Sequence, residues 1–523
     1  MNLRTVVHLV SILVTFLGFS MFVCVPVGIL MNDPDRFVWQ MAFCGFVTTL
    51  LGIVGAFFSR GVHGKRLRSG VREGFATVAF GWLAALIFGA LPFMLISDLK
   101  VADAIFETAS GFTTTGASVI DSELVLRNGG RLAKGVESLP YCLLFWRSLI
   151  VWLGGMGIVV FALVILPFLG VGGTTQLYNA EVPGLKTNSD QLTPRIASSA
   201  KILWLVFLAL TVLETVLLFL GGMTLFDAVC HSFCTKNASI AYYSNPFIQW
   251  VIVIFMFLSA CNFALSIKAV TGKRWLIFFQ DEEFKFFLFL VLAAVGLSTL
   301  LLWSEFHEII SMTGTAEPNT FLVSLRYAAF QVVSIVTSTG FTTADYNTWP
   351  AGIVMILFFL MFIGGCAGST AGGIKCVRAL LLGKHAVSEI RRCIFPRSIP
   401  DVRLNGERLP EATINKTLAF VFLYMGIFFA VALLLPLLCE MEVTTALSAS
   451  IACISNIGPG LDQVGPAVTF GWMSAPAKYL LSFAMVIGRL ELYTLLVVLL
   501  RIYDAFKWLK DSSVLETAKI NEK

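Results

Sequence analysis

The stretch "ETASGFTTTGAS", residues 107–118, is a polar, glycine-containing segment between two long apolar parts of the chain. Three segments of the same kind follow: "HSFCTKNASIAY" at 231–242, "QVVSIVTSTGFT" at 331–342 and "SIACISNIGPGL" at 450–461. They recur at intervals of roughly 100 to 125 residues, as expected for an internal repeat. The pattern therefore predicts one helix–loop–helix unit repeated four times.

Each polar tip follows a moderately apolar stretch of about a dozen residues, which is too short to cross a bilayer. Such a stretch is typical of a half-helix that enters a membrane and stops midway, where its backbone must be satisfied by protein or water. The four predicted half-helices are 103–113, 227–237, 327–337 and 445–455.

The composition is that of an integral membrane protein. The chain has 523 residues, of which 57% are hydrophobic and 13% charged, and its mean hydropathy is +0.84. Apolar runs long enough to span a bilayer, about 20 residues each, predict about ten helices, and the first is expected to be a retained span rather than a signal peptide. The runs are 5–30, 37–59, 74–97, 143–168, 202–222, 246–267, 284–303, 351–381, 415–438 and 474–500.

Lysine and arginine concentrate in short connections, above all 60–72 and 375–408. Because such loops face the cytoplasm, the pattern predicts that both termini are cytoplasmic. The net charge of +5 is thus a topology signal, and it does not indicate a nucleic-acid partner. The segment 382–412, called the basic connection below, is expected to face either lipid headgroups or a regulatory partner.

The chain offers little that indicates catalysis or a structural metal. Its eleven cysteines lack C-x-x-C pairs and its five histidines lack ligand spacing. Acids and histidines within the apolar runs look sparse and unpaired, whereas a membrane enzyme needs converging ionisable groups. The sequence therefore favours a transporter over an enzyme.

The four tips can surround a cation. Half-helices that converge on one axis point the negative ends of their dipoles at its centre, and extended tips can turn carbonyl oxygens inward in place of a hydration shell. The alternative is that threonine-rich tips only bond backbone groups in turns. The candidate ion ligands are Thr114, Thr115, Gly116, Ala238, Ser239, Ile240, Ser338, Thr339, Gly340, Asn456, Ile457 and Gly458.

Two further features fall inside apolar runs. The segment "GGCAGSTAGGIK", 364–375, interrupts the long run 351–381, and broken helices occur at membrane depth only inside protein or along a cavity; the alternative is close helix packing through small residues. Arg489 lies in the final run, where a charge marks function by default. The alternative for Arg489 is a purely structural pairing with a buried acid.

The tips, "LLFWRSLIVWLGGMGIVVFALVILP" (143–167), "NAEVPGLKTNSDQLTPRIASSAK" (179–201), the 364–375 segment and "IGRLELYTLLVVLL" (487–500) resemble the Trk/Ktr/HKT superfamily of potassium transporters, most closely its TrkH-type membrane subunits. The resemblance covers essentially the whole chain. It implies an all-α membrane protein with four helix–pore-loop–helix repeats around a pseudo-fourfold pore, plus an extra N-terminal helix pair.

This resemblance also implies a homodimer in the bacterial inner membrane, regulated by a cytosolic TrkA-type nucleotide-binding subunit. The transported ion would be K⁺, and no cofactor is expected in this chain. The expected divisions are the leading pair 1–72 and repeats 73–201, 202–283, 284–412 and 413–523. The 364–375 loop would be the gate, with Gly368, Gly372, Gly373, Lys375 and Arg489 as its residues.

The second tip departs from the family pattern, because Ser239 and Ile240 stand where glycine is usual. Isoleucine cannot easily adopt a positive φ, so either the Ile240 carbonyl reaches the ion from an extended conformation or this quarter coordinates less well; a one-residue shift would instead place Ser239 there. The hypothesis is that this imperfect quarter relaxes potassium selectivity. Lys236 is expected to snorkel or to pair with Glu107, while Arg147, Trp146 and Trp152 look like interfacial anchors.

The main alternative to channel-like passage is a potassium symporter coupled to protons or sodium. Proton coupling generally leaves carboxylates or histidines along the path. The candidates near the tips are Glu107, Glu214, His231 and Asp462.

Overall fold

The computed structural model describes residues 3–59, 71–155, 157, 196–231, 235–272, 276–396 and 402–490. Residues 156 and 158–167 of the 143–167 motif, residues 179–195 of the 179–201 motif, and residues 491–523, which include Glu491, lie outside these ranges. The described residues are predominantly α-helical, with two small antiparallel hairpins.

Within the described ranges, five segments are long and apolar enough to cross a membrane: Leu3–Leu30, Asp35–Ser59, Ala76–Ile96, Glu282–Glu305 and Glu411–Leu438. Several other predicted spans are shorter or broken. The predicted run 246–267 divides at Ala260 because the backbone oxygen there accepts a hydrogen bond from Cys366 N instead of continuing the helix. The prediction of a single helix over 246–267 was therefore wrong.

The helices are numbered in chain order. In the first half they are α1 Leu3–Phe22, α2 Cys24–Leu30, α3 Asp35–Ser59, α4 Val71–Gly89, α5 Leu91–Ile96, α6 Val101–Phe112, α7 Tyr141–Gly155, α8 Ile196–Leu220, α9 Leu225–Cys230, α10 Pro246–Ser259 and α11 Phe263–Thr271. In the second half they are α12 Ile277–Gln280, α13 Glu282–Glu305, α14 Phe321–Val336, α15 Ala351–Leu360, α16 Cys376–Ile394, α17 Glu411–Leu438, α18 Val443–Ile454 and α19 Ala475–Arg489.

The hairpins lie outside the long helices. Strands β1 Glu308–Ile310 and β2 Ala316–Pro318 pair between α13 and α14. Strands β3 Arg403–Leu404 and β4 Glu407–Arg408 pair between α16 and α17, within the basic connection.

Four short helices, α6, α9, α14 and α18, lead into the four tips. Helices α6 and α18 lie within two residues of their predicted bounds, but α14 begins six residues earlier than predicted, at Phe321. Its start is capped by the Thr320 side chain, which accepts a hydrogen bond from Val323 N. Helix α9 ends at Cys230, well before the predicted end at residue 237, and residues 232–234 lie outside the described part of the chain.

Distant parts of the chain meet at α6 and α19. The buried side chains of Asp103 and Lys478 form an ion pair at 2.6 Å, and Phe470 N donates a hydrogen bond to Ser118 O at 2.8 Å. The first and last helix–tip–helix units are therefore held against each other by contacts that span more than half of the chain.

Candidate functional site

The four tips line one cavity of about 800 Å³. Its wall also includes Thr370 of the interrupted segment, Arg147 of α7 and Glu214 of α8. Seven of the predicted ligand residues line it: Thr114, Gly116, Ser239, Ser338, Thr339, Gly340 and Gly458. The other five belong to the same tips but lie outside this lining set: Thr115, Ala238, Ile240, Asn456 and Ile457.

One backbone feature recurs in every tip. A non-glycine residue adopts the left-handed conformation, with φ between 50° and 56°, two residues after the short helix in three tips and nine residues after α9 in the second tip. Left-handed residues at this place end a helix and satisfy its last carbonyl groups. The four residues are Thr114, Ser239, Ser338 and Asn456.

Three tips continue in the same way after this residue. The next backbone N–H reaches back into the helix, from Thr115 to Ser110 O, from Thr339 to Ser334 O and from Ile457 to Ala452 O, at 2.8 to 2.9 Å. A glycine with positive φ then follows in each tip. These are Gly116 (83°), Gly340 (78°) and Gly458 (104°).

The second tip continues differently. Residues Ser239–Tyr242 form a 3₁₀ turn, in which Ala241 N donates to Ala238 O and Tyr243 N to Ile240 O. Counted from the left-handed residue, Ala241 rather than Ile240 takes the place of the glycine. Ile240 is buried, and its backbone lies in this turn rather than in an extended segment.

The tips contact one another around the cavity. Asn456 Nδ2 donates to Thr115 Oγ1 at 3.0 Å, and a Cβ added to Gly458 would lie 2.5 Å from Thr115 O. A Cβ on Gly340 would collide with Ile457 O. Thr342 N, next to the third tip, donates to Ser239 Oγ at 3.2 Å. Glycine at these positions thus permits close approach of neighbouring backbones.

A buried ion pair supports the first tip. Arg147 Nε lies 2.5 Å from Glu107 Oε1, with side chains 3% and 0% exposed, and Glu107 also accepts hydrogen bonds from Ser118 Oγ and Val119 N. The expected pairing of Glu107 with Lys236 is therefore wrong: Lys236 Nζ lies 4.8 Å from the centre of the Tyr242 ring.

The expected role of Arg147 and Trp146 as interfacial anchors is also wrong. Both are buried, and the Trp146 indole donates to Gly89 O at 3.2 Å. Trp152, on the same helix, donates to Thr211 Oγ1 at 3.3 Å. These contacts could not be predicted from the apolar run 143–168, because their partners lie far away along the chain.

The expectation of unpaired buried acids is corrected as well. His231 Nε2 lies 3.1 Å from Glu214 Oε1 at the cavity wall, and Lys478 pairs with Asp103. Asp462 accepts a hydrogen bond from Thr445 Oγ1 at 2.5 Å. A lysine within an apolar helix, such as Lys478, is a signal that could have indicated a buried acid.

The 364–375 segment is non-helical, as its glycines predicted, and folds back on itself beneath the third and fourth tips. Gly364 N donates to Ile374 O at 2.8 Å and Ile374 N to Phe362 O at 3.0 Å. Gly368 and Gly373 have positive φ, and Lys375 Nζ donates to Ser369 O and Ala371 O inside the loop.

This loop contacts both a tip and Arg489. Gly372 N donates to Ser338 Oγ at 2.6 Å. The guanidinium of Arg489 donates to Thr370 O at 2.9 Å and to the last carbonyls of α7, at Gly154 (2.5 Å) and Gly155 (3.1 Å). Arg489 therefore joins the loop to α7 at one end of the cavity.

A family model described as "TrkH: Cation transport protein" matches residues 42–506. The chain belongs to the TrkH family. It is 37% identical to the "Trk system potassium uptake protein TrkH" of Salmonella typhimurium and to that of Escherichia coli K12, over 95% of this chain and 98% of each relative. The crystal structure of the potassium transporter TrkH from Vibrio parahaemolyticus superimposes with a TM-score of 0.79 at 34% identity, covering 95% of this chain and 99% of that one.

Membership of the TrkH family confirms the prediction of a transporter rather than an enzyme, and of an all-α membrane protein. The family resemblance that the motifs indicated is confirmed over nearly the whole chain. In this TrkH-family protein, two buried ion pairs were not predicted from the sequence. They are Arg147–Glu107 and Lys478–Asp103.

Proposed function

We propose that this protein takes up potassium ions through a pore whose selectivity filter is built from the four tips. The supporting observation is that all four tips contain a left-handed residue, at Thr114, Ser239, Ser338 and Asn456, and that all four tips line one cavity. The relatives named potassium uptake proteins of the Trk system favour K⁺ as the ion.

The filter works by replacing water with protein oxygens. After each left-handed residue the backbone of tips one, three and four turns out of the helix, and its carbonyl groups become available to an ion instead of continuing the helical bonds. The C-terminal ends of the short helices add partial negative charge. The assigned ligands are the same twelve tip residues that the sequence indicates.

The proposed architecture has a leading helix pair, 1–72, and four helix–pore-loop–helix units, 73–201, 202–283, 284–412 and 413–523, around a pseudo-fourfold axis. Two copies form a homodimer in the bacterial inner membrane, with all termini cytoplasmic. A cytosolic TrkA-type nucleotide-binding subunit regulates the pore from the side of the basic connection.

The gate is the 364–375 loop, with Gly368, Gly372, Gly373, Lys375 and Arg489. In the conformation described here, the loop lies against Ser338 and presents Thr370 to the cavity. The Arg489 guanidinium fixes Thr370 and adds a positive charge below the filter, which raises a barrier to cations. Opening moves the loop away from the axis.

A second candidate function is symport coupled to protons or sodium. It is favoured by the Glu214–His231 pair, which places two titratable groups at the cavity wall. A weakly selective K⁺/Na⁺ pathway is favoured by the 3₁₀ turn of the second tip, which offers its carbonyls differently from the other three.

Reversal potentials in proteoliposomes, measured under separate potassium, sodium and pH gradients, test these functions. Channel-like conduction predicts a potential that follows the potassium gradient and ignores pH. A reversal potential that shifts with the pH gradient indicates proton symport, one that follows both metal gradients indicates weak selectivity, and the absence of potassium current contradicts the proposed function.

A further inference from the structure

Glu283, in the first turn of α13, is a buried carboxylate that holds the proposed gate. Its Oε1 atom accepts hydrogen bonds from Ala367 N in the loop (2.6 Å) and from Val377 N at the start of α16 (3.1 Å). The side chain is buried, so the loss of this acceptor would leave two backbone N–H groups without their partner. One oxygen atom therefore joins α13 to the loop and to the helix that follows it.

The preceding residues of α13 are bound to the hairpin β3–β4. Asn405, at the turn of that hairpin, accepts from Glu282 N at 2.8 Å, donates its own N–H to Glu282 Oε2 at 3.1 Å, and donates from its amide to Asp281 Oδ2 at 2.9 Å. Lys384 of α16 adds an ion pair with Glu282 at 2.5 Å. Two consecutive residues of α13 thus have different partners. Glu282 binds the exposed hairpin, and the buried carboxylate of Glu283 binds the loop.

The other attachments of the loop lead elsewhere. Gly372 is bound to the third tip, Thr370 to Arg489, and Cys366 to the break after α10. Glu283 attaches the same loop to an element that is itself tied to a solvent-exposed hairpin. The hairpin and the loop are therefore connected by a continuous chain of hydrogen bonds through the first turn of α13. Coupling between distant sites can be carried by contiguous networks of this kind.

We propose that Glu283 is a positioning residue that transmits the state of the β3–β4 hairpin to the 364–375 loop and holds the loop in its closed position. This inference rests on the proposed function of the loop as the gate. Under this inference, the Glu283 carboxylate and the hairpin control gating. The hairpin is expected to be cytoplasmic because it lies in the basic connection.

The test is single-channel recording of the full-length protein in planar bilayers. Glu283→Ala removes both bonds and is expected to raise the open probability about tenfold, as the loss of two hydrogen bonds of ordinary strength predicts. Glu283→Gln keeps an acceptor oxygen and is expected to raise it only about threefold. Unitary conductance and the potassium reversal potential should stay unchanged, because the filter is not altered.

Asn405→Ala weakens the contact between the hairpin and α13 and is expected to raise the open probability about threefold. The matched control is Glu305→Ala, which removes an exposed carboxylate at the other end of α13 and should behave as the unmodified protein.

Open probabilities equal to that of the unmodified protein for Glu283→Ala overturn the inference, as does a change confined to conductance or selectivity. If Glu283→Ala does not give a monodisperse protein, equal open probabilities for Glu283→Gln, Asn405→Ala and the unmodified protein overturn it instead. Failure of the proposed function is distinct, because the unmodified protein itself would then carry no potassium current.

Discussion

The first and second tips line the same cavity, yet their backbones follow different courses. Both have a left-handed residue, Thr114 or Ser239, after the helix. In the first tip the next N–H reaches back five residues and Gly116 then turns with positive φ, whereas the second tip closes into a 3₁₀ turn around Ile240. The left-handed residue thus occurs in both tips without a glycine, whereas only the first tip continues with a glycine at positive φ.

The first and third tips have two hydrogen-bonding patterns in common. In each of these two tips, the hydroxyls of two threonines that are two residues apart form a hydrogen bond. The pairs are Thr113 with Thr115 at 2.6 Å and Thr337 with Thr339 at 2.8 Å. A polar side chain at the same place in each short helix, Glu107 or Gln331, bonds to the chain leaving the tip. In the second tip Ala238 and Ile240 stand at the places of the two hydroxyl residues, so this tip cannot form the bond between them.

The largest effect is expected when a glycine of a regular tip is replaced. Gly340→Ala places a Cβ against Ile457 O at a position with φ of 78°, so the third tip must shift and potassium flux should fall by more than about tenfold. The measurement is potassium uptake by proteoliposomes. Gly314→Ala is the control, because it carries the same conformational strain (φ 80°) with nothing within 4 Å of an added Cβ among the described residues; equal loss in both variants would contradict the packing argument.

The next effect tests the support of the first tip. Arg147→Ala leaves Glu107 buried without its cation and should destabilise the protein by roughly 3–5 kcal/mol, seen as a lower Tm in detergent. Arg392→Ala is the control, since its ion pair with Glu389 is about half exposed and such pairs contribute about 1 kcal/mol or less. Similar Tm shifts in the two variants would show that the buried pair is not a main support of this tip.

A smaller effect is expected at the gate. Arg489→Ala removes the bonds to Thr370 O and to the end of α7, together with a positive charge, and should increase potassium flux about threefold. Arg489→Lys, which keeps the charge but loses the multiple bonds, separates the two causes in the same flux assay. Flux that stays unchanged in the alanine variant would favour a purely structural arginine.

The smallest effect concerns the second tip itself. Ala241→Gly supplies glycine at the place counted from Ser239 and is expected to raise the potassium-to-sodium permeability ratio about two- to threefold. Ile240→Gly tests the register expected from the sequence and should change the ratio less. Ratios unaffected by both variants would mean that the second tip does not limit selectivity.

Much of this fold could be read from local patterns. The interruption at 364–375 follows from glycines that cannot sustain a buried helix, and the short helices before Thr114 and Asn456 follow from their length and their polar ends. These are properties of neighbouring residues, which the sequence displays directly.

What could not be read depends on residues that are distant in sequence. The break after α10 arises because Ala260 O binds Cys366 N, more than a hundred residues away. The burial of Arg147 depends on Glu107, 40 residues earlier, and the register of the second tip depends on a backbone turn for which no glycine serves as a marker. Apolarity alone distinguishes neither a span from a broken helix nor an anchor from a buried ion pair.

The joining of α6 to α19 has a consequence for how the protein is made. Asp103 and Thr115 find their partners, Lys478 and Asn456, only when the last quarter of the chain has entered the membrane. Until then one of the four sides of the proposed pore is missing, so the nascent chain cannot form the pore that we propose. Late completion of this kind would protect the ionic gradients of a growing cell from leakage through half-made copies.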